Sequence, residues 1–133
     1  MAQYKIFVSH AWNYDDDMER LSDLLNSRMY YIFEFTEFRK HNAVDSINSD
    51  YIMRRIRENI QKSNVFLAIA GVYASYSDWM EYEMRMAKYY GLKIIGIKPY
   101  GNQYTSSKVS EYADEIVNWN TESIVAAISR NRR

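Results

Sequence analysis

A carboxylate on the apolar face of a helix needs a reason to be there, and Glu83 is such a residue. Helical spacing from Trp79 places Trp79, Glu83, Met86, Ala87 and Tyr90 along one stripe, while Glu81, Arg85 and Lys88 share another that faces solvent. Glu81 has Arg85 four residues on as an ordinary surface partner. Glu83 has Trp79 before it and Ala87 after it, so its own helix offers it no cation. Burial without a local partner disfavours the charged form and raises the pKa, which is the state expected of a working carboxylate at the rim of a pocket. An ion pair brought from elsewhere in the fold explains such a residue equally well.

Other residues suggest chemistry less strongly. Ser9 beside His10 has the look of a nucleophile and its base, yet successive strand residues point to opposite faces of a sheet. His10 is therefore either a structural residue at a strand end or a ligand contact. Asp15, Asp16 and Asp17 could suggest a metal site, but consecutive carboxylates at a helix start diverge and are satisfied by the positive end of the helix dipole. No metal site is expected. The absence of cysteine excludes disulfides, thiolate catalysis and Cys-based zinc sites.

These candidates depend on the elements that carry them. Short apolar or β-branched runs at 4–9, 30–35, 64–70 and 92–98, with a weaker one at 115–119, predict five strands. Polar stretches with helical spacing at 15–28, 46–62, 78–90 and 121–130 lie between or after them, and 100–112 reads as loop with some helix. Alternating strands and helices imply right-handed crossovers. The fold class is therefore α/β, an open five-stranded parallel sheet of order 2-1-3-4-5 with helices on both faces and a flavodoxin-like plan. In that order the connections reverse between strands 1 and 3, opening a crevice lined by residues 9–13 and 71–75. Pro99 ends the fourth strand, and 130–133 reads as a frayed basic tail.

With 133 residues, 47% of them hydrophobic, one domain spanning 1–133 is expected. Seventeen basic residues balance seventeen acidic ones, so no broad basic surface is available for a nucleic-acid partner. The N-terminus enters a strand-like run without a long apolar stretch, which predicts no membrane partner and a cytoplasmic location. Residues 9–17 contain no glycine, which removes the phosphate loops of dinucleotide-binding and flavodoxin-type proteins, and Ala70-Gly71 stands where a phospho-receiver needs its acceptor Asp.

Three segments together resemble a known family. They are Lys5-Ile6-Phe7-Val8-Ser9-His10-Ala11-Trp12, then Val65-Phe66-Leu67-Ala68-Ile69-Ala70, and then the stretch 73–83 with its Trp79-x-x-x-Glu83 spacing. The chain resembles a TIR domain, specifically the small bacterial TIR-like group typified by the Thoeris antiphage protein, over essentially its whole length. That resemblance implies a catalytic role for Glu83, the residue that helical spacing singles out independently.

The resemblance further implies cleavage of the nicotinamide–ribose bond of NAD as substrate, with no added cofactor. Hydrolysis or cyclisation to a cyclic ADP-ribose isomer would follow, and a downstream effector would sense the product in antiphage defence. Phe7, Ser9, His10, Trp12 and Asn13 would line the strand-1 side of the substrate pocket, with Trp79 beside the glutamate and 37–45 as a cover. A homo-oligomer through TIR–TIR contacts is implied as well. Two alternatives stand beside this reading. One is a non-catalytic TIR-like interaction module that assembles through exposed aromatics such as Tyr30, Tyr31 and Tyr104. The other is a related nucleoside or nucleotide glycosyl-transfer enzyme that accepts a different base.

Overall fold

Alternation of apolar side chains along two buried strands defines the two faces of the sheet. The computed structural model describes residues 2–9, 21, 31–36, 49–71, 74, 78–98 and 105–133. Strands β1 (Ala2–Ser9), β2 (Tyr31–Thr36), β3 (Val65–Ile69), β4 (Ile94–Ile97) and β5 (Glu115–Val117) form one parallel sheet in the order β2-β1-β3-β4-β5. On one face Ile6, Val8, Val65, Leu67, Ile69, Ile95 and Ile97 build a core with Leu21. On the other, Phe7, Phe66, Ala68, Ala70 and Ile94 build a second core. Period-two geometry then places Ser9 on the same face as Phe7.

The helices divide between these faces as the sheet order requires. Helices α1 (Ser49–Lys62), α2 (Asp78–Tyr89) and α3 (Ser107–Tyr112) contribute to the Phe7 face, and α4 (Thr121–Asn131) packs on the Ile6 face. Right-handed crossovers running in opposite directions from β1 put their helices on opposite faces, so the reversal of strand order decides which helices meet Ser9. In α1, Ile52, Ile56 and Ile60 recur every four residues and are all buried, giving the amphipathic stripe that holds the helix down.

The helix ends are defined by local chemistry. Gly91, at φ +76°, ends α2, with Gly91 N–H donating to the Lys88 carbonyl at 3.1 Å and Leu92 N–H to that of Ala87 at 2.8 Å. Asn120 caps α4 by accepting from Ser123 N–H at 3.0 Å. Arg133 overturns the expectation of a frayed basic tail. Its guanidinium donates to the carbonyls of Ile60, Gln61 and Ser63 at the end of α1 and to that of Tyr90 after α2. A cation there meets the negative ends of two helix dipoles. Arg130 pairs with Glu115 of β5.

Gly96 marks where α3 presses on the sheet. A Cβ at this position would lie 3.1 Å from Val109 Cγ1, 3.2 Å from Ile116 Cγ1 and 3.3 Å from Ala113 Cβ. Gly96→Val is therefore expected to cost about 1–3 kcal/mol through overpacking, read as a lower denaturant midpoint with unchanged slope. An unchanged midpoint would mean that α3 moves freely away from β4.

Asp114 ties β4 to α2. Its Oδ2 accepts from Ile94 N–H at 2.8 Å and its Oδ1 from Lys88 Nζ at 3.0 Å. Burial by itself pushes this carboxyl up, but the Ile94 N–H and the Lys88 ammonium outweigh it and hold the group below the usual carboxylate range. Glu115 is lowered too, mainly by Arg130 and then by Asn131. A folded pKa below the unfolded value of about 3.9 for Asp means that the stabilisation is present above that value. It is lost as pH falls through the folded pKa. Asp114→Asn combined with Glu115→Gln should flatten the acid limb of stability between roughly pH 5 and pH 2, measured by denaturant melts at stepped pH. An acid limb as steep as in the parent would show that these contacts do not couple to folding.

Candidate functional site

Helix α2 begins after the carboxyl end of β3 and carries Glu83 in its second turn. Its buried side chains are Met80, Tyr82, Glu83, Met84 and Ala87. The stripe therefore differs from the one predicted by counting from Trp79. Met80, Tyr82 and Met84 are core residues that this count missed, whereas Trp79, Met86 and Tyr90 pack against the core only in part. The helix presses on both β1 and α1, so its buried arc is wider than a single stripe. Glu83 is on that arc in either case, with only 5% of its surface exposed. On the outer face Glu81 reaches Lys108 of α3, at 3.7 Å.

A hydroxyl from β1 meets the buried carboxylate. Ser9 Oγ donates to Glu83 Oε1 at 2.6 Å, a length ordinary for a hydroxyl bonded to an ionised oxygen. Ser9 is itself 1% exposed. Burying a carboxylate is costly unless it is hydrogen-bonded, and this contact offsets part of that cost. Ser9 therefore faces Glu83, across 74 positions of sequence. The sequence did hold a signal for the pair. Ser9 is the one polar member of the buried alternating run Ile6–Ser9, and among the described residues Glu83 is the one carboxylate on a buried helix face, so each needed a partner from elsewhere.

The surrounding structure holds both residues in place. Phe7 is fully buried and stacks on Phe66 with ring centroids 5.3 Å apart, so its ring is part of the core beneath Ser9. Trp79, one turn before Glu83, sits edge-on to Tyr82 at 6.3 Å. Tyr82 Oη accepts from Arg57 at 2.8 Å and donates to the Met53 carbonyl at 3.4 Å, fastening the start of α2 to α1. At the carboxyl end of β3, the Ala70 carbonyl accepts from Ser106 N–H at 2.9 Å, and Ser106 Oγ caps α3. The predicted site residues His10, Trp12 and Asn13 lie outside the described residues, as do the expected cover 37–45 and Asp15–Asp17. Of the predicted crevice lining, Ser9, Gly71 and Ala74 are described, and all three are buried.

An open groove of about 530 Å³ runs between β5 and α4 and is lined in part by Lys98, Val117, Asn118 and Glu122. It shares no residue with the Ser9–Glu83 pair. No helix among the described residues is long and apolar enough to cross a membrane.

Comparison with known proteins adds to this geometry. Residues 7–104 match the family described as Thoeris protein ThsB, TIR-like domain. No curated protein matches the chain. Among solved structures, the chain is similar to the CMP N-glycosidase BcmB of Clostridium botulinum, with 16% identity and a TM-score of 0.56 over 94% of this chain and 98% of that one. It is also similar to a 3-dehydroquinate dehydratase-like protein from Bifidobacterium longum, with 10% identity and a TM-score of 0.51 over 98% and 95% of the two chains. At these identities the likeness is one of fold, an α/β plan with a parallel sheet flanked by helices.

Proposed function

The chain belongs to the Thoeris ThsB TIR-like domain family, and on that premise we propose that it cleaves the N-glycosidic bond between nicotinamide and ribose in NAD. The observation that carries this reading is the buried carboxylate of Glu83, fixed by the Ser9 hydroxyl at the carboxyl end of β1. That end of the sheet, beside the reversal of strand order, is where open α/β proteins bind ligands.

The chemistry follows from the charge that develops. As the C–N bond breaks, its electron pair leaves with neutral nicotinamide and positive charge builds on the ribose ring. A carboxylate held beside the ribose stabilises that charge and accepts hydrogen bonds from the ribose hydroxyls. Nicotinamide leaves without being protonated, so the step needs no strong acid. Water then attacks the anomeric carbon and gives ADP-ribose and a proton. When a nucleophilic atom of the same ADP-ribosyl group attacks instead, the product is a cyclic ADP-ribose isomer. We assign the second outcome to this protein, as a cytoplasmic signal read by a separate effector in antiphage defence. Association of TIR-like copies would complete the site. Trp79 flanks Glu83, while His10, Trp12 and Asn13 follow β1 in sequence and are assigned to substrate contact.

A carboxylate in this position would serve other N-glycosides as well, and the fold shared with a CMP N-glycosidase makes a nucleotide base the alternative leaving group. The test is product formation by mass-resolved chromatography in lysates of cells expressing the chain, with and without phage challenge, and from purified protein given NAD or CMP. Nicotinamide with an ADP-ribose species supports the proposal, and cytosine released from CMP supports the alternative. Silence under every condition favours a non-catalytic assembly module.

A further inference from the structure

Three features of the Ser9–Glu83 contact bear on what Ser9 does. Ser9 has a single O–H donor, and it is directed at Glu83 Oε1 over 2.6 Å. Its side chain is as buried as the core around it. Its backbone lies in the β1–β3 ladder opposite Ala68, two residues beyond the last paired position with β2 at Phe7, and the fully buried Phe7–Phe66 stack lies on the same face. A hydroxyl built on a central strand and backed by packed aromatics is a rigid support, which is what a side chain must have if it is to fix the geometry of another. The carboxylate of Glu83 ends a chain of rotatable bonds, and burial alone does not choose its rotamer.

We infer that Ser9 is a positioning residue for Glu83: its hydroxyl fixes Oε1, and so the plane and reach of the carboxylate, and it acts on the reaction through that group. The inference rests on the glycosidic cleavage proposed above. It stands against the expectation that Ser9 lines the substrate pocket. A substrate contact and a positioning contact predict different kinetics. Loss of a substrate contact raises KM, whereas loss of orientation lowers kcat with substrate binding retained.

The experiment is steady-state kinetics of nicotinamide release by the full chain, comparing Ser9→Ala, Ser9→Thr, Glu83→Gln and the double variant Ser9→Ala/Glu83→Gln. Thermal unfolding of each variant is measured in parallel. A misplaced catalytic group lowers turnover by about 10- to 100-fold. Ser9→Ala should show a kcat loss of that size with KM within about twofold, and Ser9→Thr, which keeps the hydroxyl, should recover most of it. Ser9→Ala should cost nothing further in the Glu83→Gln background, because a residue that acts through another loses its effect when that other is gone. Should Ser9→Thr fail to fold, the kcat-against-KM split and the double-variant comparison decide the matter. Parent-like kinetics in Ser9→Ala, a change confined to KM, or an additive loss in the double variant would each overturn the inference. An inactive parent chain would instead count against the glycosidic reading itself.

Discussion

Glu83→Gln is expected to lower nicotinamide release by at least about a hundredfold while leaving the fold intact. The amide keeps the size of the carboxylate and can still accept from Ser9 Oγ, so the contact that orders this part of α2 survives. What disappears is the negative charge. Electrostatic groups aimed at a developing charge in a water-poor site are worth about 10²–10³ in turnover each, and Glu83 is only 5% exposed. A loss of at least that size is therefore expected in kcat/KM for NAD. The thermal midpoint should stay level or rise, because a buried charge is costly to fold around and catalytic groups often lower stability. Retained activity in a folded Glu83→Gln protein would remove Glu83 from the chemistry and leave it as a structural acceptor for Ser9. A collapse of the midpoint together with activity would point to the same structural role.

Phe7→Ala is expected to have the largest effect on stability. The Phe7 ring is fully buried, stacks on Phe66 and belongs to a core shared by β1, β3, α1 and α2. Truncating a buried phenylalanine costs about 3–5 kcal/mol through lost transfer energy and the cavity left behind. Phe7→Leu keeps much of the volume and should cost less than about 1.5 kcal/mol if the core repacks. Denaturant melts of the two variants measure the difference. Phe7→Leu also separates packing from ligand contact, since a core residue replaced at similar volume should leave KM for NAD near its parent value. A large rise in KM with little loss of stability would show the ring acting on substrate, as the family resemblance implies.

Much of the fold was legible in the sequence because each signal for it is local. Runs of apolar residues with period two or four mark strands and helices, and the positions of β1 to β5 fall within a few residues of those runs. Their strict alternation, with the handedness of crossovers, predicts a parallel sheet with helices on both faces, and the order β2-β1-β3-β4-β5 is the common arrangement of such a five-stranded sheet. Glu83 was legible for the same reason. A carboxylate on the stripe of Trp79, Met86, Ala87 and Tyr90 breaks the pattern of its own helix, and nothing outside that helix is needed to see it.

The remaining features are long-range. The Ser9 hydroxyl and Glu83 are 74 residues apart, and periodicity says that each must find a partner without saying which. Arg133 looked like the end of a charged tail because a cation in a polar run carries no mark of the carbonyls it will meet. Those carbonyls, at the ends of α1 and α2, come together only once both helices lie on one face of the sheet. Phe7 shows the same division. The family resemblance implies that it lines the substrate pocket, and the packing of Phe66 and the helices against its face of the sheet buries its ring in the core. Sequence by itself determined the elements and the residue out of place among them, because propensity and period act over one or two turns. Tertiary structure decided which polar groups satisfy one another, because hydrogen bonds over 2.6–3.2 Å form only after chain segments far apart in sequence are brought together by burial of apolar surface.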